Sequence, residues 1–150
     1  MWSDCVFCQI IAGKNSAELI YEDALVIAIL DINPIHLGHT LVIPKVHYST
    51  FLDLPIETVN SVLQATQQIS KALMIGLKLE GFNFFSNNGH IAGQSVFHFH
   101  IHITPRYPGD NITLTTTLKQ YSDEELTYYG NLIREQLKRG SITFIEEETP

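Results

Sequence analysis

Three histidines alternate with apolar residues in the segment VFHFHIHITPR, at residues 96–106. His98, His100 and His102 are three of the seven histidines in the chain. In a β-strand, side chains two positions apart lie on the same face, so the imidazoles would form a row spaced about 6 to 7 Å apart. Such a row could surround a phosphate group or a metal ion. The opposite face would carry apolar side chains that pack in the core, namely Phe97, Phe99, Ile101 and Ile103.

Three interpretations of this histidine row are open. The side chains could be ordinary surface or hydrogen-bonded core histidines, or two of them could bind a metal ion. A metal would need a further ligand from upstream, and the candidate histidines there are His36, His39, His47 and His90. Alternatively, a neutral imidazole nitrogen could attack an electrophilic phosphorus while its neighbours donate hydrogen bonds to the phosphate oxygens. The polar segments SNNG (86–89) and AGQS (92–95) favour this third interpretation, because they supply donors beside the row without Lys or Arg.

A second group of chemically active side chains lies near the N-terminus, where Cys5 and Cys8 are the two cysteines of the chain. Their spacing is that of a metal clip or a redox pair, and it is not that of a disulfide scaffold. A thioredoxin-like redox pair is disfavoured because no strand precedes the motif. Two interpretations stay open: buried thiols without a further role, or a structural zinc that needs two imidazoles to complete a tetrahedron.

The composition limits the classes of protein that could carry these groups. The 150 residues are 45 % hydrophobic, which is enough to bury a core without metals or crosslinks. The net charge of −7 has the wrong sign for a protein that binds long nucleic acid, although local donors could still hold a small anion. The N-terminal segment does not have the pattern of a signal peptide, and no apolar run is long enough to span a membrane. We therefore expect a cytoplasmic protein.

Five strands and a short helix are predicted to position the two groups. Runs of β-branched and aliphatic residues predict the strands, at residues 18–22, 24–31, 39–44, 82–87 and 96–104. The short helix is predicted from Ser3 to Gly13, with Ser3 or Asp4 as its N-cap. Cys5 and Cys8 would then share one face, because residues three apart on a helix are neighbours.

Two longer helices are predicted downstream. The first would begin with Asp53 as N-cap and Pro55 in its first turn. Its apolar positions recur at spacings of three and four, at Val59, Val62, Leu63, Thr66, Ile69, Leu73 and Leu77. The last helix would begin at a capping box formed by Ser122 and Glu125 and end near Gly140, before a solvated tail. Strands and helices in this order indicate an α+β domain with an antiparallel sheet.

Three separated segments resemble one known family, the histidine triad superfamily. GQSVFHFHIHITPR (93–106) resembles its signature, His-φ-His-φ-His-φ-φ with φ apolar, preceded by Gly-Gln-Ser. AILDINPIHLGHTLVIPKVH (28–47) is similar to the upstream block, and SNNG matches the Asn-x-Gly turn. The match covers about residues 5–106, whereas the C-terminal helix and tail at 107–150 match nothing. The resemblance implies a single HIT-like α+β domain over 1–150, with an antiparallel sheet of about five strands and a dimer with adjoining sheets.

The resemblance implies a role for each matching residue. His100 matches the nucleophile that attacks the α-phosphorus and forms a nucleotidyl-histidine intermediate, from which water releases a nucleoside monophosphate. His102 and His39 match phosphate contacts, and Ser95 matches the position that assists the leaving group. The implied substrate-binding residues are Asn87 and Gln94 for polar contacts, Asp31 for the ribose hydroxyls, and Phe7, Ile10, Ile29 and Ile32 for the base. Without the resemblance, Asp31 and Asn87 would be turn residues and the apolar four would be core.

His102 stands where the nucleotidyltransferase branch of the family carries Gln, which implies hydrolysis of a purine, AMP-like nucleotide. The GQS segment is similar to that of nucleoside phosphoramidate hydrolases, whereas ITPR also resembles dinucleoside polyphosphate hydrolases. A nucleotide-binding adaptor module with weak catalysis stays open, as does a metal-dependent hydrolase with zinc on His100 and His102.

The cysteine pair resembles that of a zinc-bearing subgroup of the superfamily. Its two further ligands there match His47 and His98 in this chain. The resemblance therefore implies one structural zinc per chain, bound by Cys5, Cys8, His47 and His98. In that arrangement His98 would hold metal while His100, two residues further on, faces the substrate.

Overall fold

A five-stranded antiparallel sheet forms the centre of the fold in this computed structural model, which describes residues 4–113 and 116–138. The strands are β1 (Leu19–Glu22), β2 (Val26–Leu30), β3 (Thr40–Pro44), β4 (Gly81–Phe85) and β5 (Ile101–Arg106). Their spatial order is β1-β2-β3-β5-β4, and every neighbouring pair is antiparallel. The predicted α+β class with five antiparallel strands is confirmed.

The two faces of the sheet pack against different helices. One face packs on the long helix α2 (Ile56–Gly76), and the other packs on the short helix α1 (Val6–Ile11). Because side chains alternate along a strand, adjacent residues of β2 and β3 enter opposite cores. The core on the α2 face contains Val26, Ala28, Val42, Val62, Ala65, Ile69, Phe99, Ile101 and Ile103. The core on the α1 face is smaller and contains Phe7, Ile27, Ile29, Leu41 and Ile43.

The last strand, β5, begins five residues later than predicted, so His98 and His100 precede it. Residues 101–103 pair with β3, and the ladder ends at the pair of Val42 and Ile101, two residues before Pro44, which has no backbone N–H to donate. The preceding segment turns away instead, since the Phe99 N–H donates to the Tyr48 carbonyl at 2.6 Å. The alternation of faces nevertheless continues: Phe99 is buried on the α2 face, and the chain carries its histidines on the other.

The helix α2 begins at Ile56, and Asp53 is not its N-cap as predicted. A residue before proline disfavours the helical conformation, so Leu54 is extended and Pro55 becomes the N-cap. Asp53 instead closes a short 3₁₀ turn, where its Oδ2 accepts hydrogen bonds from the Thr50 N–H and hydroxyl at 2.8 and 2.9 Å.

Other boundaries differ by a few residues from those predicted. Helix α1 has Cys5 as its N-cap, so Asp4 lies outside it, and Ser3 is outside the described residues. Three apolar side chains expected in the core are largely exposed, at 49 % for Phe97, 45 % for Leu63 and 42 % for Leu77.

The residues up to Asn111 form one compact unit and those from Ile112 onward form another. The described part of the second unit contains helix α3 (Asp123–Lys138). Its capping box is confirmed: the Ser122 N–H donates to Glu125 Oε2 at 2.8 Å, and the Glu125 N–H donates to Ser122 Oγ at 3.2 Å. Gly140 and the tail are outside the described residues, and the single domain over 1–150 stays a prediction. No helix in the described ranges is both long and apolar enough to cross a membrane.

Candidate functional site

An open cavity of about 770 Å³ lies on the α1 side of the sheet. Helix α1 and the segment after it form one wall, and the end of β2 forms another. Two members of the histidine row also face it. The cavity brings together most of the predicted site residues: Phe7, Ile10, Ile29, Asp31, Ile32, Ser95, His100 and His102.

The hydrogen bond of His100 determines which ring nitrogen is available for chemistry. Its Nδ1 lies 2.7 Å from the carbonyl oxygen of His98 and must donate, because a carbonyl only accepts. A neutral imidazole carries one proton, so Nε2 of His100 keeps its lone pair. Burial lowers the pKa of His100 below the ordinary histidine value of 6.5, which keeps the ring neutral at pH 7. His100 therefore presents a neutral ring nitrogen with an available lone pair at the cavity wall.

A chain of hydrogen bonds gives His102 the opposite polarity. The Ile35 N–H donates to His39 Nδ1 at 3.1 Å, so the proton of neutral His39 sits on Nε2. That Nε2 donates to His102 Nδ1 at 3.0 Å, which leaves the His102 proton on its own Nε2. Burial, followed by the neighbouring His100 and His39, lowers the pKa of His102 to about 4. His102 is thus a neutral hydrogen-bond donor beside the lone pair of His100.

The two reactive rings lie closer together than an ideal strand predicts. The ring centroids of His100 and His102 are 4.7 Å apart, with 65° between the ring planes. Phe85 of β4 pairs with His102 in the ladder and stacks on its ring at 4.8 Å and 15°. Phe7 contacts the ring of His100 edge-on at 5.1 Å. Both imidazoles are therefore held in place by an aromatic neighbour.

Asp31 serves the local turn and also faces the cavity. Its Oδ1 accepts the Asn33 N–H at 2.8 Å, which is the turn that the DINP segment favours. Its Oδ2 lies 3.6 Å from His39 Nδ1, but that nitrogen already accepts from Ile35. Burial also lowers the pKa of His39, so this contact is not an ion pair at neutral pH. Asp31 therefore lines the cavity as a carboxylate next to neutral His39.

Gln94 and Asn87 stabilise the loop before the histidine row and do not line the cavity. The buried Gln94 amide donates to the carbonyls of Ser49 and Val96 at 2.7 and 3.1 Å, and its oxygen accepts the Gly89 N–H at 2.8 Å. Asn87 donates to the Gly93 carbonyl at 3.4 Å. Both glycines have positive φ, 90° and 85°, a conformation that side chains other than glycine rarely adopt. Direct contact of either amide with a substrate stays a prediction.

A second cluster brings together four potential metal ligands, Cys5, Cys8, His47 and His98, whose ligand atoms lie within 4.8 Å of one another. Nδ1 of His98 is 3.4 Å from Cys5 Sγ and 3.5 Å from Cys8 Sγ. Cys8 Sγ is also 3.4 Å from His47 Nδ1. In a tetrahedral zinc site with sulfur and nitrogen donors, neighbouring ligand atoms are about 3.3 to 3.8 Å apart. The cluster therefore fits a zinc ion.

The surroundings of this cluster favour metal binding further. The His98 Nε2–H donates to the Pro44 carbonyl at 2.8 Å, so its lone pair on Nδ1 points at the sulfurs. Burial, more than any other cause, lowers the pKa of His98 to about 4. The ring is therefore neutral, as a histidine that binds a metal must be. Burial beside Cys5 raises the pKa of the Cys8 thiol to about 11 in the absence of a metal. A bound cation would favour the thiolate instead.

A further group, Asp31, His39 and His102, also has its ligand atoms within 4.8 Å. Here the short contact is the hydrogen bond between the two histidines, at 3.0 Å. The contacts of the cysteine cluster, at 3.4 to 3.5 Å, instead match the spacing of zinc ligands. His36 stacks on Tyr107 at 4.3 Å and His90 is exposed, as expected for loop histidines.

Several residues of the site were missed in the sequence. The segment Lys14–Ala17 forms part of the cavity wall, and the Ile35 N–H and Pro44 carbonyl set the protons on two histidines. Phe85 reaches His102 only through the register between β4 and β5. The sequence predicts that Phe85 lies in a strand, but it does not predict that His102 is its neighbour across the sheet.

Comparisons with known proteins agree with this geometry. Residues 12–109 match the family model of the HIT domain. The adenylylsulfatase HINT3 of Arabidopsis thaliana is 38 % identical over 90 % of this chain and 70 % of its own. A histidine triad nucleotide-binding protein from Candida albicans has a TM-score of 0.83 at 28 % identity, covering 92 % of this chain and 100 % of that one. A zinc-bound histidine triad protein from Mycobacterium smegmatis has a TM-score of 0.71 at 39 % identity, covering 94 % and 100 %.

His100, His102, Ser95 and Asp31 therefore line one cavity, in a chain whose fold and sequence agree with the same set of proteins. The chain belongs to the HIT domain family of histidine triad proteins.

Proposed function

We propose that the protein hydrolyses a nucleoside 5′-phosphoramidate or a related nucleotide conjugate at the α-phosphate and releases a nucleoside monophosphate. The observation that carries this proposal is the proton arrangement at the cavity wall. His100 presents a lone pair on Nε2, and His102 beside it carries a proton on Nε2. A nucleophile next to a hydrogen-bond donor is the pairing that attack on a phosphate ester or amide requires.

The proposed reaction has two steps. In the first, His100 Nε2 forms a bond to the α-phosphorus, and the bond from phosphorus to the leaving oxygen or nitrogen breaks. The leaving group takes up a proton, for which the Ser95 hydroxyl at the cavity wall is the assigned relay. In the second step, water attacks the phosphorus and gives up a proton that replaces the one passed through Ser95, the bond to His100 breaks, and the monophosphate leaves. His102 donates a hydrogen bond to the phosphate oxygens in both steps.

The cavity has walls suited to the two ends of a nucleoside. Phe7, Ile10, Ile29 and Ile32 supply the apolar surface that we assign to a purine base. Asp31 lies between this surface and the histidines and is assigned to the ribose hydroxyls, because an ionised carboxylate only accepts hydrogen bonds. This assignment makes an AMP-like nucleotide the expected ligand. The cytoplasmic location expected from the sequence belongs to the same proposal.

A substrate panel tests this function. Adenosine 5′-phosphoramidate, diadenosine polyphosphates and adenylyl sulfate, the substrate class named for the Arabidopsis relative, would each be incubated with the protein while AMP is measured. We expect AMP release from the phosphoramidate at the highest kcat/KM and none from the His100→Asn variant. Preference for the diadenosine compounds would move the assignment to dinucleoside polyphosphate hydrolysis. Tight AMP binding without turnover of any of these compounds would instead identify a nucleotide-binding module.

We also infer that the cysteine cluster binds one zinc ion per chain as a structural element. Zinc bound there would neutralise the two thiolates and hold two imidazoles, and the chemistry at His100 would not need it. A metal-dependent hydrolase with zinc on His100 and His102 is less well supported, because Nδ1 of His102 accepts from His39 and its Nε2 carries the proton, so neither nitrogen of neutral His102 has a free lone pair.

A homodimer with adjoining sheets is the assembly that we propose. Strand β4 lies at an edge of the sheet, where its backbone groups could pair with a second strand. Next to it, an apolar groove of about 500 Å³ runs along α2, with Leu63, Ile75 and Phe84 in its walls. These three side chains are exposed in the single chain. Analytical ultracentrifugation of the protein and of a Phe84→Glu variant checks this proposal. We expect a dimer for the wild type and a monomer for the variant.

A further inference from the structure

Helix α1 links the cysteine cluster to the cavity. Cys5 is its N-cap residue and Cys8 lies in its first turn, so both thiols of the cluster belong to this helix. Phe7 lies between them and is 6 % exposed, and it lines the cavity together with Ile10. Two side chains of this segment, Cys5 and Cys8, therefore belong to the metal cluster, whereas Phe7 and Ile10 face the cavity assigned to the nucleotide.

The helix has few means of holding itself in place. It has six residues, well below the length at which an isolated helix is stable in water. Cys5 makes no side-chain cap hydrogen bond to it, and its last turn carries no basic residue. Its position therefore depends on the packing of Phe7, Ile10 and Ile11 at the small core and on the contacts that its two cysteines make to His47 and His98.

Two contacts connect the cluster to the nucleophile. The ring of Phe7 lies edge-on to both His98 and His100, at 5.8 and 5.1 Å. The carbonyl of His98 accepts the Nδ1–H of His100 at 2.7 Å, while the side chain of the same His98 faces the thiols. A change in how firmly His98 and α1 are held would thus reach His100 through a ring contact and through a backbone hydrogen bond.

From these contacts we propose that the cluster of Cys5, Cys8, His47 and His98 is a positioning device for nucleotide binding. Metal coordination holds α1 against the sheet, so that Phe7 and Ile10 form the base-side wall of the cavity. This inference rests on the proposed nucleotide-binding function and goes beyond a purely stabilising metal. It makes metal and nucleotide binding mutually cooperative, because two ligands that favour one arrangement of α1 favour each other.

Reciprocity gives this proposal its quantitative test. If zinc tightens AMP binding by some factor, AMP must tighten zinc binding by the same factor. We expect both factors to be about tenfold, within the usual range of coupling between sites. The dissociation constant of AMP would be measured by calorimetry with zinc-loaded and chelator-treated protein. The dissociation constant of Zn²⁺ would be measured by competition with a chromophoric chelator, with and without AMP.

Two variants separate coupling from general stability. Phe7→Ala keeps all four ligand residues but removes the ring contact between α1 and the cavity, so zinc should still bind while the coupling factor falls. Val62→Ala makes a small cavity in the core on the α2 face, away from α1, and should lower the melting temperature while the coupling factor is unchanged. In kinetic assays, loss of zinc should raise KM about tenfold while kcat changes less, a split that mere destabilisation does not produce.

Hydrogen exchange supplies a readout that needs no nucleotide. The amides of Gln9 and Ala12 donate to the Cys5 and Cys8 carbonyls within α1, and zinc should slow their exchange. Equal exchange with and without zinc would overturn the proposal, as would equal AMP affinity in folded zinc-loaded and zinc-free protein. If zinc slows the exchange but the loaded protein binds no AMP, the proposed function fails, and with it the nucleotide half of this proposal, while the hold of the metal on α1 stands.

Discussion

The cysteine cluster and the cavity wall each contain a histidine of the row, His98 in the first and His100 in the second, and the two rings are oriented in opposite ways. His98 and His100 are two residues apart, both are buried, and burial lowers the pKa of both. His98 donates from Nε2 to a carbonyl and turns Nδ1 toward two thiols. His100 donates from Nδ1 and leaves Nε2 for the cavity. The difference teaches that the carbonyl each ring finds, and not the imidazole itself, determines its chemistry.

The largest effect should come from removing the nucleophile. We expect His100→Asn to lower kcat/KM by about 10,000-fold, because a covalent pathway cannot be replaced by the remaining donors. The same variant should keep one zinc per chain, measured by elemental analysis. His98→Asn is the matched variant and should lose zinc. Loss of zinc from His100→Asn would show that the two clusters are not separate.

The second effect concerns the metal cluster alone. His47→Asn removes one of four ligands outside the triad and should lower the melting temperature by about 10 °C, since a tightly bound metal stabilises only the folded chain. Differential scanning calorimetry with and without added zinc measures it. His90→Asn, at an exposed loop histidine, serves as the control and should not change the melting temperature. A zinc-independent melting temperature in the wild type would contradict a metal at this cluster.

A smaller effect is expected from the hydrogen bond that orients His102. His39→Leu removes the donor to His102 Nδ1 and should lower kcat about 10- to 100-fold, as loss of a residue that orients an active group commonly does. His39→Gln carries an amide donor of similar reach and should recover part of the loss. Steady-state kinetics separates kcat from KM for both. If the two variants had equal kcat, the donor would have no role in turnover.

The pH dependence should sharpen the contrast with an exposed histidine. Because burial disfavours the charged ring, the folded-state pKa of His102 is about 4 and that of His39 lies below 6.5. Catalysis should therefore stay at its plateau as pH falls through 6.5 and decline only at lower pH. The unfolded chain takes up protons near pH 6.5, so stability should fall as pH decreases below that value. An acid limb of kcat/KM centred at 6.5 would contradict a buried, neutral network.

Much of this site could be predicted from the sequence, because its key groups lie in short motifs. The alternation of histidines at 98, 100 and 102 was sufficient to predict that they lie on one face of the strand. The family resemblance was sufficient to predict that Cys5 and Cys8 lie near His47 and His98. The protons could not be predicted, because they depend on the Ile35 N–H and the Pro44 carbonyl, which the folded chain brings to His39 and His98.

The fold was predicted well in class and less well at its boundaries. Periodicity identifies a strand, but its end depends on pairing with the partner strand, and the ladder between β3 and β5 ends at Val42 and Ile101. The role of Phe85 was missed for a related reason, because its contact with His102 depends on the register between β4 and β5. Leu63 fits the apolar stripe of α2, yet it lies in a groove that no residue of the described chain fills.

X-ray absorption at the zinc edge of the purified protein tests the central claim most directly. The claim is that His98 belongs to a metal cluster while His100 stays free for catalysis. We predict two sulfur ligands at about 2.3 Å and two nitrogen ligands at about 2.0 to 2.1 Å, unchanged in His100→Asn. A zinc without sulfur ligands, or a spectrum that changes in His100→Asn, would contradict the division of labour between the two histidines.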